Sequence, residues 1–78
     1  MAKISGFQAT ALNSRAHPTE VICGHQIITS GNERLLQLST FGSAERRSEY
    51  KVSQTLQIDQ DRARELIQIL GAAFPGLV

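Results

Sequence analysis

Tryptophan is absent from the sequence, and cysteine occurs once, as Cys23. A single thiol cannot form an intramolecular disulfide, which separates this chain from the small secreted domains that several disulfides stabilise. The N-terminal residues 1–7 also lack the apolar run of a secretory signal peptide. Together these absences predict a cytoplasmic protein.

Long apolar runs and a strong net charge are missing as well. No stretch approaches the roughly 20 apolar residues that span a bilayer, so we expect no membrane partner. Eight Lys and Arg residues stand against seven Asp and Glu residues, for a formal net charge of +1. Because this leaves no overall positive field, binding of a nucleic acid would depend on local groups of cations.

What the sequence does contain is enough for one small domain. Its 78 residues, 41% of them hydrophobic and 19% charged, have room for a single core. A chain of this size buries only about 60% of its unfolded surface, so its stability gains much from a second subunit. We therefore expect one domain, residues 1–78, that forms a homodimer.

The C-terminal part of the chain predicts an amphipathic helix. Asp59 is a candidate N-cap, and Asp61 places a carboxylate in the first turn, where the helix dipole favours it. Apolar residues then recur at the spacing of one helix face: Ala63, Leu66, Ile67, Leu70, Ala73 and Phe74. Pro75 and Gly76 end the helix.

Alternating polar and apolar residues predict four strands before the helix. They cover residues 4–12, 21–29, 34–41 and 52–58. The sequence Ser30-Gly31-Asn32-Glu33 is typical of a tight turn and joins the second and third strands as a hairpin. The expected fold class is α+β: a four-stranded antiparallel sheet followed by one C-terminal helix, in the order β-β-β-β-α.

Residues that could carry out catalysis are few. Cys23 and His25 lie two residues apart on a predicted strand, so both side chains would point to the same face. A nucleophile needs a third, orienting group and a structural zinc needs four ligands, whereas only His17 adds an obvious nitrogen ligand. No phosphate loop, dinucleotide fingerprint or metalloprotease motif occurs. We expect a protein that is not an enzyme, with no catalytic residue, metal or cofactor.

Two groups of residues indicate a binding surface. The first would form an uncharged polar face of the sheet with a ring at a strand end: Gln37, Ser39, Ser53, Thr55, Gln57 and Phe41. The second lies in or just after the long connection of residues 42–49: Arg46, Arg47, Tyr50 and Lys51. Cations contact phosphates, rings stack on bases and polar groups bond to bases and sugars, so this combination favours single-stranded nucleic acid. A solvated sheet face beside a loop with local ion pairs would give the same pattern.

The helix offers a second surface. Part of its apolar stripe is formed by Leu66, Ile69, Leu70 and Ala73. One helix over one small sheet leaves little hydrophobic bulk, so we expect these residues to pair across a two-fold axis.

Parts of the sequence are similar to known families. Four segments resemble a family of small uncharacterised bacterial proteins of about this length: Ala16-His17-Pro18-Thr19-Glu20-Val21, Leu36-Gln37-Leu38-Ser39-Thr40-Phe41-Gly42-Ser43, Lys51-Val52-Ser53-Gln54-Thr55-Leu56-Gln57-Ile58-Asp59 and Ala73-Phe74-Pro75-Gly76. The segment Lys51-Val52-Ser53-Gln54-Thr55-Leu56 and the element order more distantly resemble PC4-like single-stranded DNA-binding domains. That second resemblance implies single-stranded DNA as ligand and a dimer formed through the helix.

The sequence therefore predicts a non-enzymatic binding module, a homodimer that holds single-stranded nucleic acid on its polar sheet face. The alternative is a protein–protein adaptor or inhibitor that uses a sheet edge or the connection of residues 42–49, and it fits the near-neutral charge.

Overall fold

A computed structural model describes residues 1–42 and 51–77 of the chain. The elements follow the order β1 (Ala2–Lys3), β2 (Cys23–Ser30), β3 (Glu33–Phe41), β4 (Val52–Ile58) and α1 (Gln60–Ala73). The four strands form one sheet in the order β1-β4-β3-β2. The predicted α+β class, with a four-stranded sheet and a C-terminal helix, is confirmed.

The sheet is mixed, so the prediction of a purely antiparallel sheet is wrong. Strands β2 and β4 run antiparallel to β3, but β1 runs parallel to β4, with Lys3 opposite Gln57. Ile4 extends this pairing through a hydrogen bond of 2.9 Å from its N–H to the carbonyl of Gln57. Parallel neighbouring strands need a long connection between them, and between β1 and β4 this connection includes β2 and β3.

The prediction of a strand over residues 4–12 is also wrong. Strand β1 stops at Lys3, and from there to the start of β2 the chain forms neither helix nor strand. Residues 5–20 are exposed. Small side chains such as Ala9 and Ala11 offer little apolar area, so their alternation with polar residues is not enough to hold a strand on the sheet.

The hairpin of β2 and β3 forms as predicted. Ser30 lies opposite Glu33, and Gly31 and Asn32 make the turn between them. Gly31 has a φ of +61°, in the left-handed region, whereas no non-glycine residue in the described ranges has a positive φ. Glycine at the first central position, followed by a residue with negative φ, is the pattern of a type II′ turn, whose twist matches that of the strands.

Helix α1 begins where the sequence predicts. Asp59 is the N-cap, and its carboxylate accepts a hydrogen bond of 2.8 Å from the backbone N–H of Arg62. The helix ends at Ala73, and the N–H of Phe74 donates to the carbonyl of Leu70 at 2.8 Å. Phe74 is therefore the C-cap and not part of the helix.

The core of the described chain is thin. Leu35 and Ile58 are its only buried apolar side chains, and α1 buries no residue. On the sheet, Ile27 remains 61% exposed and Leu56 44% exposed. The helix therefore leaves a large part of the apolar side of the sheet open.

Candidate functional site

The strand register places three glutamines in one row across the sheet. Residues directly opposite each other in neighbouring strands share a face. Gln26 of β2 lies opposite Gln37 of β3, which lies opposite Gln57 of β4. Lys3 of β1 lies opposite Gln57 at the far end. We refer to Lys3, Gln57, Gln37 and Gln26 as the glutamine row.

Two amides of the glutamine row are hydrogen bonded to each other. Gln57 donates from Nε2 to Oε1 of Gln37 at 2.8 Å, and both residues are half-buried. An amide side chain has two donors and an acceptor oxygen with two lone pairs. This one bond therefore orients both amides and leaves them donor and acceptor capacity for a ligand.

Gln26 is the site residue that sequence reasoning missed. It is exposed and lies on the outer strand of the sheet. The signal was present in the turn, because a two-residue loop between Ser30 and Glu33 fixes which residues of β2 and β3 face each other. Counting back from that turn places Gln26 opposite Gln37.

The next row on the same face contains Thr55, Ser39 and Gly24. Ser39 Oγ and Thr55 Oγ1 are hydrogen bonded at 3.2 Å. Their residues are only 9% and 7% exposed. At this burial the two hydroxyls stabilise the pairing of β3 with β4 and are poorly accessible to a ligand, unlike the amides of the glutamine row.

Phe41 lies at the end of this face, against Gly24. Two of its ring carbons come within 3.1 and 3.2 Å of the position that a Cβ on Gly24 would occupy. The missing side chain at Gly24 is what lets the ring approach the backbone of β2 so closely. Phe41 is half-buried, and its ring belongs to the class of side chain on which bases stack.

The register of β3 with β4 shifts beside Phe41. Thr40 lies opposite Gln54 and Phe41 lies opposite Val52, so Ser53 has no position opposite it in β3. Such a bulge interrupts the alternation of side chains. The polar face predicted from the sequence therefore cannot be extended from β4 through Ser53, although Ser53 is exposed.

One of the predicted cations lies at the same end of the sheet. Lys51 is exposed directly before β4, and its backbone carbonyl accepts a hydrogen bond of 2.9 Å from the N–H of Gly42. The segment between these two residues therefore starts and ends beside Phe41. Three predicted site residues belong to that segment and lie outside the described residues: Arg46, Arg47 and Tyr50.

Ion pairs hold the start of the chain to the sheet and the helix. Lys3 Nζ donates to both carboxylate oxygens of Glu33, at 2.8 and 3.0 Å. This hydrogen bond, with the negative charge of Glu33, raises the pKa of Lys3. Arg62 donates to the carbonyl of Ser5, and its Nε lies 3.1 Å from the carboxylate of Glu65. The ammonium of Lys3 is thus already engaged by a carboxylate.

A groove of about 620 Å³ lies between the β2–β3 turn and the start of α1. Its lining includes the carboxylates of Glu33, Asp59 and Asp61, against the single guanidinium of Arg34. An excess of negative charge repels phosphate. This groove therefore does not suit an anionic ligand.

Cys23 and His25 are both exposed and share the face opposite to the glutamine row. Cys23 Sγ lies 3.6 Å from the carbonyl of Gly24. Residues 1–42 and 51–77 contain no group of three or more His, Cys, Asp or Glu residues that could hold a metal ion.

The helix residues expected at a dimer interface differ in exposure. Leu66 and Leu70 are half-buried, whereas Ile69 and Ala73 are exposed. Their role in a dimer stays a prediction.

Comparisons of the chain with family models, with curated proteins and with solved structures find no match. The resemblance to PC4-like domains therefore stays a prediction. None of the helices in the described ranges combines the length and apolar character needed to cross a membrane.

Proposed function

We propose that this protein is a non-enzymatic binding module, a cytoplasmic homodimer that holds single-stranded nucleic acid on the glutamine row. The observation that supports this most directly is the alignment of Gln26, Gln37 and Gln57 on one face, with Phe41 on the same face four residues along β3 from Gln37. Flexible amides bond to many base edges and sugars, and a ring stacks on any base. These are the groups that a module of low sequence preference needs.

The phosphates would be contacted at the Phe41 end of the sheet. Lys51 is exposed there and supplies one ammonium. Arg46 and Arg47 belong to the segment between Gly42 and Lys51. In the proposal they bind the backbone of the ligand, and Tyr50 adds a second stacking ring.

Fluorescence anisotropy tests this proposal with labelled single-stranded and duplex oligonucleotides over a salt series. We expect preference for the single strand and an affinity that falls as salt rises. Arg46→Ala with Arg47→Ala should lower the slope of log K against log salt by about 1.4, since each phosphate contact on a single strand contributes about 0.7. Absence of binding at low salt would contradict the proposal.

Substitution of the glutamines should change the affinity and the salt dependence differently in the same experiment. Gln37→Ala with Gln57→Ala should weaken binding at every salt concentration and leave the slope unchanged, because neutral amides release no counterions. The matched control is Gln54→Ala, which removes an exposed amide from the same strand on the opposite face.

A protein–protein adaptor is the second candidate, and the open outer edge of β2 favours it. A purified protein that ignores oligonucleotides but binds an added peptide in an extended conformation would support this candidate instead.

A further inference from the structure

Strand β2 is the outer strand of the sheet that residues 1–42 and 51–77 form. Within these ranges it pairs with β3 alone and stands last in the order β1-β4-β3-β2. The strand Cys23–Ser30 contains no proline and no Asp, Glu, Lys or Arg, and its register with β3 is uninterrupted. Natural proteins usually block such an edge with a charge, a proline or a bulge, because an open edge pairs with other chains.

The register also identifies the backbone groups on this edge. Phe41 donates its N–H to the carbonyl of Ile22 at 3.0 Å, so these two residues form a hydrogen-bonded pair. In antiparallel pairing, residues with backbone groups directed at the neighbouring strand alternate with residues whose groups point away. Counting from Ile22, the outward residues of β2 are Cys23, His25, Ile27 and Thr29.

The chain exposes more surface than a compact monomer of its mass. A folded monomer of 8.5 kDa exposes about 4,700 Å², whereas this chain exposes 6971 Å². Residues 5–20, which are exposed and form neither helix nor strand, contribute to the excess. On β2 itself, Ile27 is 61% exposed and is the apolar side chain that a second copy paired at this edge would cover.

We propose that β2 pairs with β2 of a second copy across a two-fold axis and joins the two sheets into one of eight strands. With the axis perpendicular to the sheet, the strands run antiparallel and each face stays on its own side. When Gln26 lies opposite the partner's Gln26, Cys23 lies opposite the partner's Thr29 and His25 opposite the partner's Ile27. Every outward N–H of β2 then meets a carbonyl of the partner. If the two-fold axis passed through another residue of β2, some of these N–H groups would be left unpaired.

The chemistry of β2 fits a copy of itself. A residue on the two-fold axis faces its own copy, so a charge there would meet a like charge. Gln26 instead presents an amide that can donate to and accept from the same amide of the partner. Ile27, 61% exposed in the single chain, would pack beside His25 of the partner subunit.

This dimer would lengthen the surface that binds nucleic acid in the proposed function, and that part of the inference rests on the proposed function. Gln26 lies at the outer end of each glutamine row, so the junction places the two rows end to end. With strands about 4.8 Å apart, the combined row is about 34 Å long, enough for one single strand to cross both subunits. Formation of the dimer does not require nucleic acid, so the two proposals fail separately.

Disulfide crosslinking in a Cys23→Ser background tests the pairing and its register. Gln26→Cys should form a disulfide-linked dimer under mild oxidation, because residues in such a non-hydrogen-bonded pair have Cα atoms about 4.5 Å apart, within disulfide range. Thr29→Cys is the matched control on the same strand. Its copy in the partner lies six positions away along the strand, or about 20 Å, and should not crosslink.

Sedimentation equilibrium with Ile27→Pro provides a second test. Proline at this position removes only an outward N–H, so the bonds from β2 to β3 are kept and the circular dichroism spectrum should be unchanged. The measured mass should fall from dimer to monomer. A dimer formed through β2 does not use the helix interface that the sequence predicts, so Ile69→Asp, at an exposed position of α1, should leave it intact.

Three results would overturn the proposal. They are a wild-type monomer at micromolar concentration, a dimer that is lost in Ile69→Asp but not in Ile27→Pro, and crosslinking of Thr29→Cys as efficient as that of Gln26→Cys. If Ile27→Pro does not fold, the crosslinking pair decides.

Discussion

Gln57 on β4 donates its side-chain amide to Oε1 of Gln37 on β3 at 2.8 Å, directly across the strand pair. This bond orients two amides on a face that also carries the ring of Phe41. The sheet holds these polar groups in a fixed row. Binding of a ligand to them therefore costs less conformational entropy than binding to the same groups on a mobile segment. The proposed binding of an extended polar ligand rests on this preorganised row.

The buried hydroxyl pair predicts a pattern of non-additive stability. Ser39→Ala leaves Thr55 Oγ1 buried without its partner, which should cost about 1–3 kcal/mol. Ser39→Ala combined with Thr55→Val removes both polar groups and should restore most of that loss. Urea unfolding of the two single variants and the double variant measures this, and additive losses would contradict the hydrogen bond described here.

The contact of Phe41 with Gly24 predicts opposite effects of alanine at two glycines. A Cβ at Gly24 would lie 3.1 Å from the ring, so Gly24→Ala should displace Phe41 and lower the free energy of unfolding. Gly71 lies within α1, and apart from the adjacent residues and the nearby backbone of the helix nothing comes within 4 Å of the corresponding position. Gly71→Ala should therefore stabilise by about 0.5–1 kcal/mol through helix propensity. Equal effects of the two substitutions in thermal unfolding would refute the close approach of Phe41.

The N-cap of α1 predicts a local loss of stability. Asp59→Ala removes the acceptor for the N–H of Arg62 and should cost about 1 kcal/mol. Gln60→Ala, one residue further along and exposed, should change stability by much less. Urea unfolding compares the two, and a loss at Gln60 as large as at Asp59 would show that the cap is not the cause.

The ion pair of Lys3 with Glu33 predicts a dependence on alkaline pH. Since the pKa of Lys3 is raised above its ordinary value of 10.5, its contribution to stability is fully present below pH 10.5 and is lost as the pH rises through the folded-state value. Lys3→Met should therefore lower the melting temperature at neutral pH, and the difference from wild type should shrink above pH 10.5. In a Glu33→Gln background, which already lacks this ion pair, Lys3→Met should show no such change.

Local signals in the sequence predicted the helix and the hairpin correctly. Asp59 caps α1 by accepting a hydrogen bond from the N–H of Arg62, three positions away, and Gly31 forms part of the turn between adjacent strands. The pairing of β1 was not predictable in this way. It is held by contacts between residues far apart in the chain, such as Lys3 and Glu33. Such contacts produce no periodic pattern in the sequence.

The candidate site was predicted in part for the same reason. Alternation placed Gln37 and Gln57 on one face, because each lies in a long regular strand. The alternation of residues could not reveal the bulge at Ser53, because the bulge depends on the pairing of β4 with β3. Gln26 was within reach of the hairpin register, but only once the turn was known to contain two residues.

The most direct test of nucleic-acid binding on the glutamine row uses the side-chain amides as reporters. In a ¹⁵N-labelled sample titrated with a short single-stranded oligonucleotide, we expect the Nε2 resonances of Gln26, Gln37 and Gln57 to shift in a saturable way. The amides of Gln54, on the opposite face, and of Gln68, on the helix, should stay in place. Shifts confined to Gln54 or Gln68, or no shift of any glutamine at low salt, would contradict the proposed site.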